Sequence, residues 1–109
     1  MVRSAILLLF LLLTPSTWAL TSMPDANLRT WASNNFPGCI SGSFIDETHP
    51  GVLAATNLNI SGSGNVTNLM GMQAFSNALY LDVSNNPITT WMGPASLRHL
   101  SAYNCGITG

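Results

Sequence analysis

Residues that could do chemistry are few and widely spaced in this sequence. The two histidines, His49 and His99, lie fifty positions apart, and there is no Ser/His/Asp order, phosphate-binding glycine loop or Cys-x-x-Cys pair. Residues 46–51 resemble the start of a calcium loop, but Thr48 is a poor ligand and Pro50 offers no side-chain oxygen. The sequence therefore predicts a plain turn there, and no catalytic residue, metal site or cofactor.

What remains is the chemistry of a binding surface. Aromatic side chains flanked by small polar ones are typical of protein interfaces. Such a set lies near the C-terminal end of the sequence: Tyr80, Asp82, Ser84, His99, Ser101 and Tyr103. We predict that these six residues form a ligand-binding face, with ordinary solvent-facing strand residues as the alternative.

The element that would position this face is a short stretch that occurs twice, at residues 78–89 and 97–108. Its apolar and ladder positions match at a constant offset of 19 residues: Leu81 with Leu100, Val83 with Ala102, Asn86 with Cys105, and Ile88 with Ile107. Both copies fit the leucine-rich-repeat frame L-x-x-L-x-L-x-x-N/C-x-L. A less regular third copy carries Leu58, Ile60 and Val66. Three unrelated strands separated by turns are the alternative.

Each copy is expected to hold one short parallel strand, whose side chains alternate between the two faces. The inward set would be Leu58, Ile60, Leu81, Val83, Leu100 and Ala102, and the outward set would be Asn57, Asn59, Ser61 and the six face residues. Between the strands, the convex side would be packed by Leu69, Met72, Phe75, Trp91 and Ala95. The predicted strands thus place the candidate face on the concave side.

Three segments, 24–29, 67–75 and 79–89, together resemble the secreted bacterial leucine-rich-repeat proteins of the internalin-like group. The Leu-Asp-Val-Ser-Asn-Asn-x-Ile-Thr segment carries most of this resemblance. The resemblance implies an α/β leucine-rich-repeat solenoid with short parallel strands on a concave face and an N-terminal helical cap. It also implies that the concave face binds a protein or another surface ligand.

The first 19 residues resemble a secretory signal peptide. Arg3 precedes an unbroken apolar run, and Thr17-Trp18-Ala19 places small residues where a signal peptidase cleaves. A retained membrane anchor is the alternative, although the run is about half the roughly 20 residues that a spanning helix needs. We therefore expect a secreted or cell-surface protein with no membrane span after cleavage.

Residues 20–109 carry two arginines and four acidic residues, a net charge of −2. Nucleic-acid binding needs a basic patch, so this balance argues against it. The two cysteines, Cys39 and Cys105, are expected to be separate thiols, because two repeat steps exceed the reach of a disulfide. A disulfide in the exported protein is the alternative.

Residues 20–55 are assigned to an N-terminal cap segment, and residues 56–109 to about two and a half repeats. An amphipathic helix is predicted over residues 23–36, beginning at Pro24 or Asp25, with Leu28, Trp31 and Ala32 on one apolar face. The helix would cover the first repeat, or else bind a partner. Residues 39–52 show no regular pattern.

These features predict a non-enzymatic secreted module that binds a protein or cell-surface ligand. One alternative is the recognition arm of a longer secreted enzyme whose catalytic domain lies beyond residue 109. Another is a truncated product without function. Because a repeat buries its apolar face only against a neighbour, the open end of the last repeat is also expected to allow self-association.

Overall fold

The computed structural model describes residues 19–105, which contain two three-stranded sheets and two α-helices. The elements in chain order are β1 (Leu20–Ser22), α1 (Ala26–Asn35), β2 (Ile40–Ser41), β3 (Phe44–Asp46), α2 (Pro50–Ala54), β4 (Asn57–Asn59), β5 (Tyr80–Asp82) and β6 (His99–Ser101). A single 3₁₀ turn, Met72–Ala74, lies between β4 and β5. Residues 1–18 of the predicted signal peptide and Ile107, the predicted repeat counterpart of Ile88, lie outside the described residues.

The predicted leucine-rich-repeat solenoid is wrong. A solenoid stacks parallel strands from one end to the other. Here an antiparallel sheet in the order β1-β3-β2 forms the N-terminal part, and the only parallel sheet among residues 19–105 has three strands of three residues each, in the order β4-β5-β6. The fold is a small α/β structure, because the repeated pattern extends over the C-terminal segments alone.

The antiparallel sheet forms where the sequence showed no regular pattern. β2 and β3 make a hairpin in which Ile40 lies opposite Ile45 and Ser41 opposite Phe44. Gly42 takes a positive φ of 59° in the two-residue connection, a backbone geometry that favours glycine. β1 completes the sheet on the other side of β3. Because these strands have only two or three residues, their alternation is too brief to predict them.

Helix α1 confirms the helix predicted over residues 23–36 and its apolar face. Leu28, Trp31 and Ala32 are all buried. The Asp25 carboxylate caps the helix by accepting from the backbone N–H groups of Asn27 and Leu28. The helix therefore presents one buried side to the rest of the fold.

An aromatic cluster ties α1 to the segment that follows β4. The ring centroids of Trp31 lie 5.9 Å from those of both Phe36 and Phe75, and the Phe36 and Phe75 rings are 5.4 Å apart. The Trp31 pairs are edge-to-face, the arrangement that aromatic quadrupoles favour. The predicted packing of Leu69, Met72 and Phe75 is confirmed, since all three are fully buried.

Parallel pairing in the second sheet follows the register of the sequence alignment. Leu58 pairs with Leu81, and Leu81 pairs with Leu100. The predicted inward positions of β4 and β5 and of the residues after them are confirmed, since Leu58, Ile60, Leu81 and Val83 are almost fully buried. Leu100, also predicted to point inward, remains 40% exposed because no described strand lies beyond β6.

A buried asparagine holds the turns of the parallel sheet together. The Asn86 side chain donates to the carbonyls of Ile60, Val83 and Ser84 and accepts from the backbone N–H of Val66. Cys105 occupies the matching position after β6, where its thiol lies 3.1 Å from the Val83 carbonyl. Both side chains are buried, so the prediction for these two positions is confirmed.

The segment between β5 and β6 differs from its prediction. Trp91 is 44% exposed and Ala95 is exposed, so neither packs the convex side. Met92 and Leu97 contact the core in their place. Among the described residues, neither helix is long and apolar enough to cross a membrane.

Candidate binding face of the parallel sheet

The solvent-facing side of the parallel sheet carries most of the predicted face residues. β4 and β5 bury their middle residues, and in all three strands the first and third residues point to the side opposite the middle one. Tyr80 and Asp82 on β5 are half-buried, while His99 on β6 is exposed and Ser101 is half-buried. The sheet thus brings four of the six predicted residues onto one surface.

Tyr80 and His99 form a stacked pair on this surface. They are register partners on neighbouring parallel strands. Their ring centroids are 5.0 Å apart and their planes differ by 15°. The spacing follows from the distance between hydrogen-bonded strands, which places side chains in register about 4.8 Å apart. The pair makes a flat, partly exposed aromatic platform.

Tyr103 lies two residues after β6 and is 70% exposed, more than any other exposed large hydrophobic side chain of residues 19–105. Its backbone N–H donates to the Ser84 hydroxyl oxygen over 3.1 Å, and its carbonyl accepts from the N–H of Asn85. The backbone of this turn is therefore anchored while its phenol ring is free to contact a ligand.

Ser84 differs from its prediction as an outward-facing residue, because it is only 1% exposed. Its hydroxyl lies 3.4 Å from that of Ser101 and accepts the Tyr103 N–H. A left-handed Asn85, with φ of 62°, turns the chain directly after it. Ser84 therefore supports the face from below and does not reach a ligand.

Charge on this face is limited to a single carboxylate within β4, β5 and β6. One oxygen of Asp82 accepts the N–H of Ser84 at 3.0 Å, which fixes the carboxylate in a local turn. Asn59 makes the same contact with Ser61 on the neighbouring strand. The face is thus polar and aromatic, with one oriented negative charge.

His49, the second histidine, has a structural position far from the face. It is the N-cap of α2: its Nδ1 accepts from the N–H of Gly51, and its Nε2 lies 3.0 Å from the Pro37 carbonyl. The two contacts fit the tautomer in which Nδ1 accepts and Nε2 donates. In the part of the chain that the structure describes, no three His, Cys, Asp or Glu residues form a group that could hold a metal.

Sequence reasoning missed an open groove beside the sheet. Its volume is about 550 Å³, and it is lined by Asn65, Asn85, Asn86, Pro87, Ile88, Thr89, Asn104 and Cys105. Asn65, Asn85 and Asn104 all have positive φ, and the Asn104 side chain donates to the Asn85 side chain over 3.1 Å. Asparagine accepts this backbone conformation better than most residues do. The repeated asparagines after each strand were the available signal.

Asp25 links α1 to the segment between β4 and β5. One oxygen of its carboxylate caps the helix, and the other accepts from the N–H groups of Thr67 and Asn68 and from the Thr67 hydroxyl. Partial burial acts to raise the pKa of Asp25, but the four backbone N–H groups together lower it below its ordinary value. The carboxylate is therefore held in its charged form.

Cys39 and Cys105 are both free and buried in the described chain. Burial raises the pKa of the Cys39 thiol, and the nearby carboxylate of Asp46 acts in the same direction. The thiolate is the reactive form of cysteine, so Cys39 is poorly suited to nucleophilic chemistry.

Comparison of the chain with protein-family models, curated proteins and solved structures gives no match.

Proposed function

We propose that the protein is exported and binds another protein through the solvent-facing side of its parallel sheet. The observation that carries this proposal is the stacked Tyr80–His99 pair beside the strongly exposed Tyr103. Tyrosine offers a large contact area at a small cost in conformational entropy, and it is enriched among the residues that dominate binding energy.

Two further features support a protein ligand. The platform is flat and lies on a sheet, whereas small-molecule sites are concave and enclose most of their ligand. Asp82 and Ser101 flank the rings with hydrogen-bonding groups, which gives the mixed polar and aromatic character of non-obligate interfaces. The signal-like residues 1–19 support export and a ligand outside the cell.

The test compares proteins captured by the wild-type chain with those captured by Tyr80→Ala/Tyr103→Ala. Trp91→Ala is the matched control, because Trp91 is also an exposed aromatic residue but lies in the segment between β5 and β6, outside the sheet. A protein retained by the wild type and by Trp91→Ala is then purified, and its affinity for all three chains is measured by calorimetry.

We expect the double variant to lower the affinity at least about tenfold, as the loss of one dominant interface residue does. Trp91→Ala should bind as the wild type does. Equal affinity of the double variant and the wild type, with both chains folded, would refute the proposed face.

A further inference from the structure

The outer edge of β6 carries backbone groups that no strand among residues 19–105 pairs with. On β6, the N–H of His99 donates to the Leu79 carbonyl and the carbonyl of Ser101 accepts from the Val83 N–H, directly before and after β5. Because backbone groups alternate in direction along a strand, the N–H and C=O groups of Leu100 and Ala102 point to the other side. No strand among residues 19–105 pairs with that side.

The side chains at this edge are apolar on the core side of the sheet. Leu100 is 40% exposed, although its register partner Leu81 is fully buried. An edge strand with free hydrogen-bonding groups and exposed apolar side chains is a template for pairing with another strand.

The opposite edge of the same sheet is covered. The outward-pointing carbonyl of Asn59 on β4 accepts from the indole N–H of Trp31 over 2.8 Å. The Trp31 side chain of α1 therefore occupies part of the place that a strand would need. A copy that approached with β6 could not pair with this edge, which closes the head-to-tail route to a filament.

We propose that two copies of this chain pair through β6 in an antiparallel, two-fold arrangement with Leu100 opposite Leu100. The two Leu100 residues then exchange both of their outward hydrogen bonds, as residues in a hydrogen-bonded antiparallel pair do. The Ala102 N–H of each copy reaches the Arg98 carbonyl of the other. The two three-stranded parallel sheets become one six-stranded sheet.

A second copy fits this edge better than an unrelated strand for two reasons. First, the edge complements itself: Leu100 meets Leu100 on the core side, and His99 meets Ser101 on the face. Second, like charges do not meet, because Arg98, the one arginine, lysine or carboxylate among residues 98–102, lies opposite Ala102. Like charges placed directly opposite would instead weaken the pair. The exposed Leu100 side chains join the two cores.

The test is sedimentation equilibrium of the full chain from about 10 µM to about 1 mM, the range in which small interfaces associate. We expect a monomer–dimer equilibrium. Leu100→Lys should shift the dissociation constant upward at least about tenfold. Leu53→Lys is the matched control, because Leu53 on α2 is 39% exposed and Leu100 is 40% exposed. The control should associate as the wild type does.

Cross-linking is a second test of the dimer. It does not require a variant with a charged residue at position 100 to remain folded. Leu100→Cys should form a covalent dimer on mild oxidation, since the Cα atoms of a hydrogen-bonded pair lie about 5.5 Å apart, within disulfide reach. Leu53→Cys should not. Far-UV circular dichroism checks that each variant is folded.

Three results would overturn the dimer: a wild type that stays monomeric to about 1 mM, assemblies that keep growing beyond two copies, and equal cross-linking at positions 53 and 100. The proposed ligand face is tested separately, because neither Tyr80 nor Tyr103 is changed in these experiments. A monomeric protein that still binds its ligand would remove the dimer and leave the proposed function intact.

Discussion

The two outer strands of the parallel sheet have the same length and pair with the same central strand, yet their free edges differ. At β4, Trp31 donates a hydrogen bond to an outward carbonyl and packs against Phe36 and Phe75. At β6, Leu100, the counterpart of the buried Leu58 on β4, is 40% exposed. The strands themselves are alike. The difference lies in which other segments of the same chain lie beside each edge.

This comparison shows how an edge strand is protected in a small fold. A strand edge needs both a partner for its backbone groups and cover for its apolar side chains. At β4, Trp31 is the partner of a backbone carbonyl through its indole N–H, and the same residue belongs to the core that buries Leu58. The part of the chain that the structure describes provides neither at β6.

Replacing Trp31, which lies against the edge of β4, should lower the stability of the protein more than any other change. Trp31→Ala is expected to lower the free energy of unfolding by about 3–5 kcal/mol, because it leaves a cavity beside Phe75 and an unpaired carbonyl on Asn59. Urea denaturation measures this change. Trp31→Phe, which retains a ring but loses the N–H, should cost less.

Trp91→Ala is the control for the same residue type, since Trp91 is 44% exposed. It should change the stability by less than about 0.5 kcal/mol. If Trp31→Ala and Trp91→Ala lowered the stability equally, Trp31 would not protect the edge of β4. The proposed difference between the two edges would then be wrong.

A smaller difference in stability is expected between substitutions after the central strand β5 and after the outer strand β6. Asn86→Ala is expected to cost about 2–3 kcal/mol, because the buried N–H of Val66 loses its acceptor and several carbonyls lose a donor. At the matching position after β6, Cys105→Ala should cost about 1 kcal/mol. Thermal unfolding of the two variants tests the order, and a larger loss for Cys105→Ala would contradict it.

The smallest loss of stability is expected for Asp25, which attaches α1 to the rest of the fold. Asp25→Ala should cost about 1 kcal/mol at neutral pH through loss of the helix cap. Because folding lowers the pKa of Asp25, its contribution is complete above the unfolded-state value of about 3.9 and is lost as the pH falls through the folded-state value. Urea denaturation of both chains at pH 7 and near pH 2 measures this, and the difference between them should shrink at low pH.

Asp25→Asn sharpens this test. The amide oxygen can still cap α1, but the amide nitrogen cannot accept from the N–H groups of Thr67 and Asn68. A loss for Asp25→Asn that is smaller than for Asp25→Ala would separate the two roles of the carboxylate. If the stability difference between the wild type and the Asp25 variants were the same at both pH values, the charge of the carboxylate would not contribute to stability.

Sequence patterns predicted the local features of this molecule well where a period extended over several residues. The apolar face of α1 and the inward positions around β4 and β5 follow directly from helical and strand periods. The constant offset between Leu81 and Leu100 predicted their register. These signals work because each one is repeated along the chain.

The overall architecture could not be derived in this way. β1 and β3 pair over residues 20–46, and nothing local in such short strands indicates which partner each will find. Assigning residues 56–109 to a repeat solenoid behind a helical cap gave the wrong fold class, because nothing in the pattern indicated the antiparallel sheet of residues 20–46. In the candidate face, alternation placed Tyr80 and His99 correctly, but the left-handed turn at Asn85 buried Ser84.

The two buried thiols give the protein a built-in pair of chemical reporters. Cys39 lies between α1 and the antiparallel sheet, with its thiol 3.5 Å from the Ala32 carbonyl, whereas Cys105 lies at the open side of the parallel sheet. An alkylating reagent reaches either one only when its surroundings open. The relative labelling rates of the two therefore show which half of the molecule opens first, without any added probe.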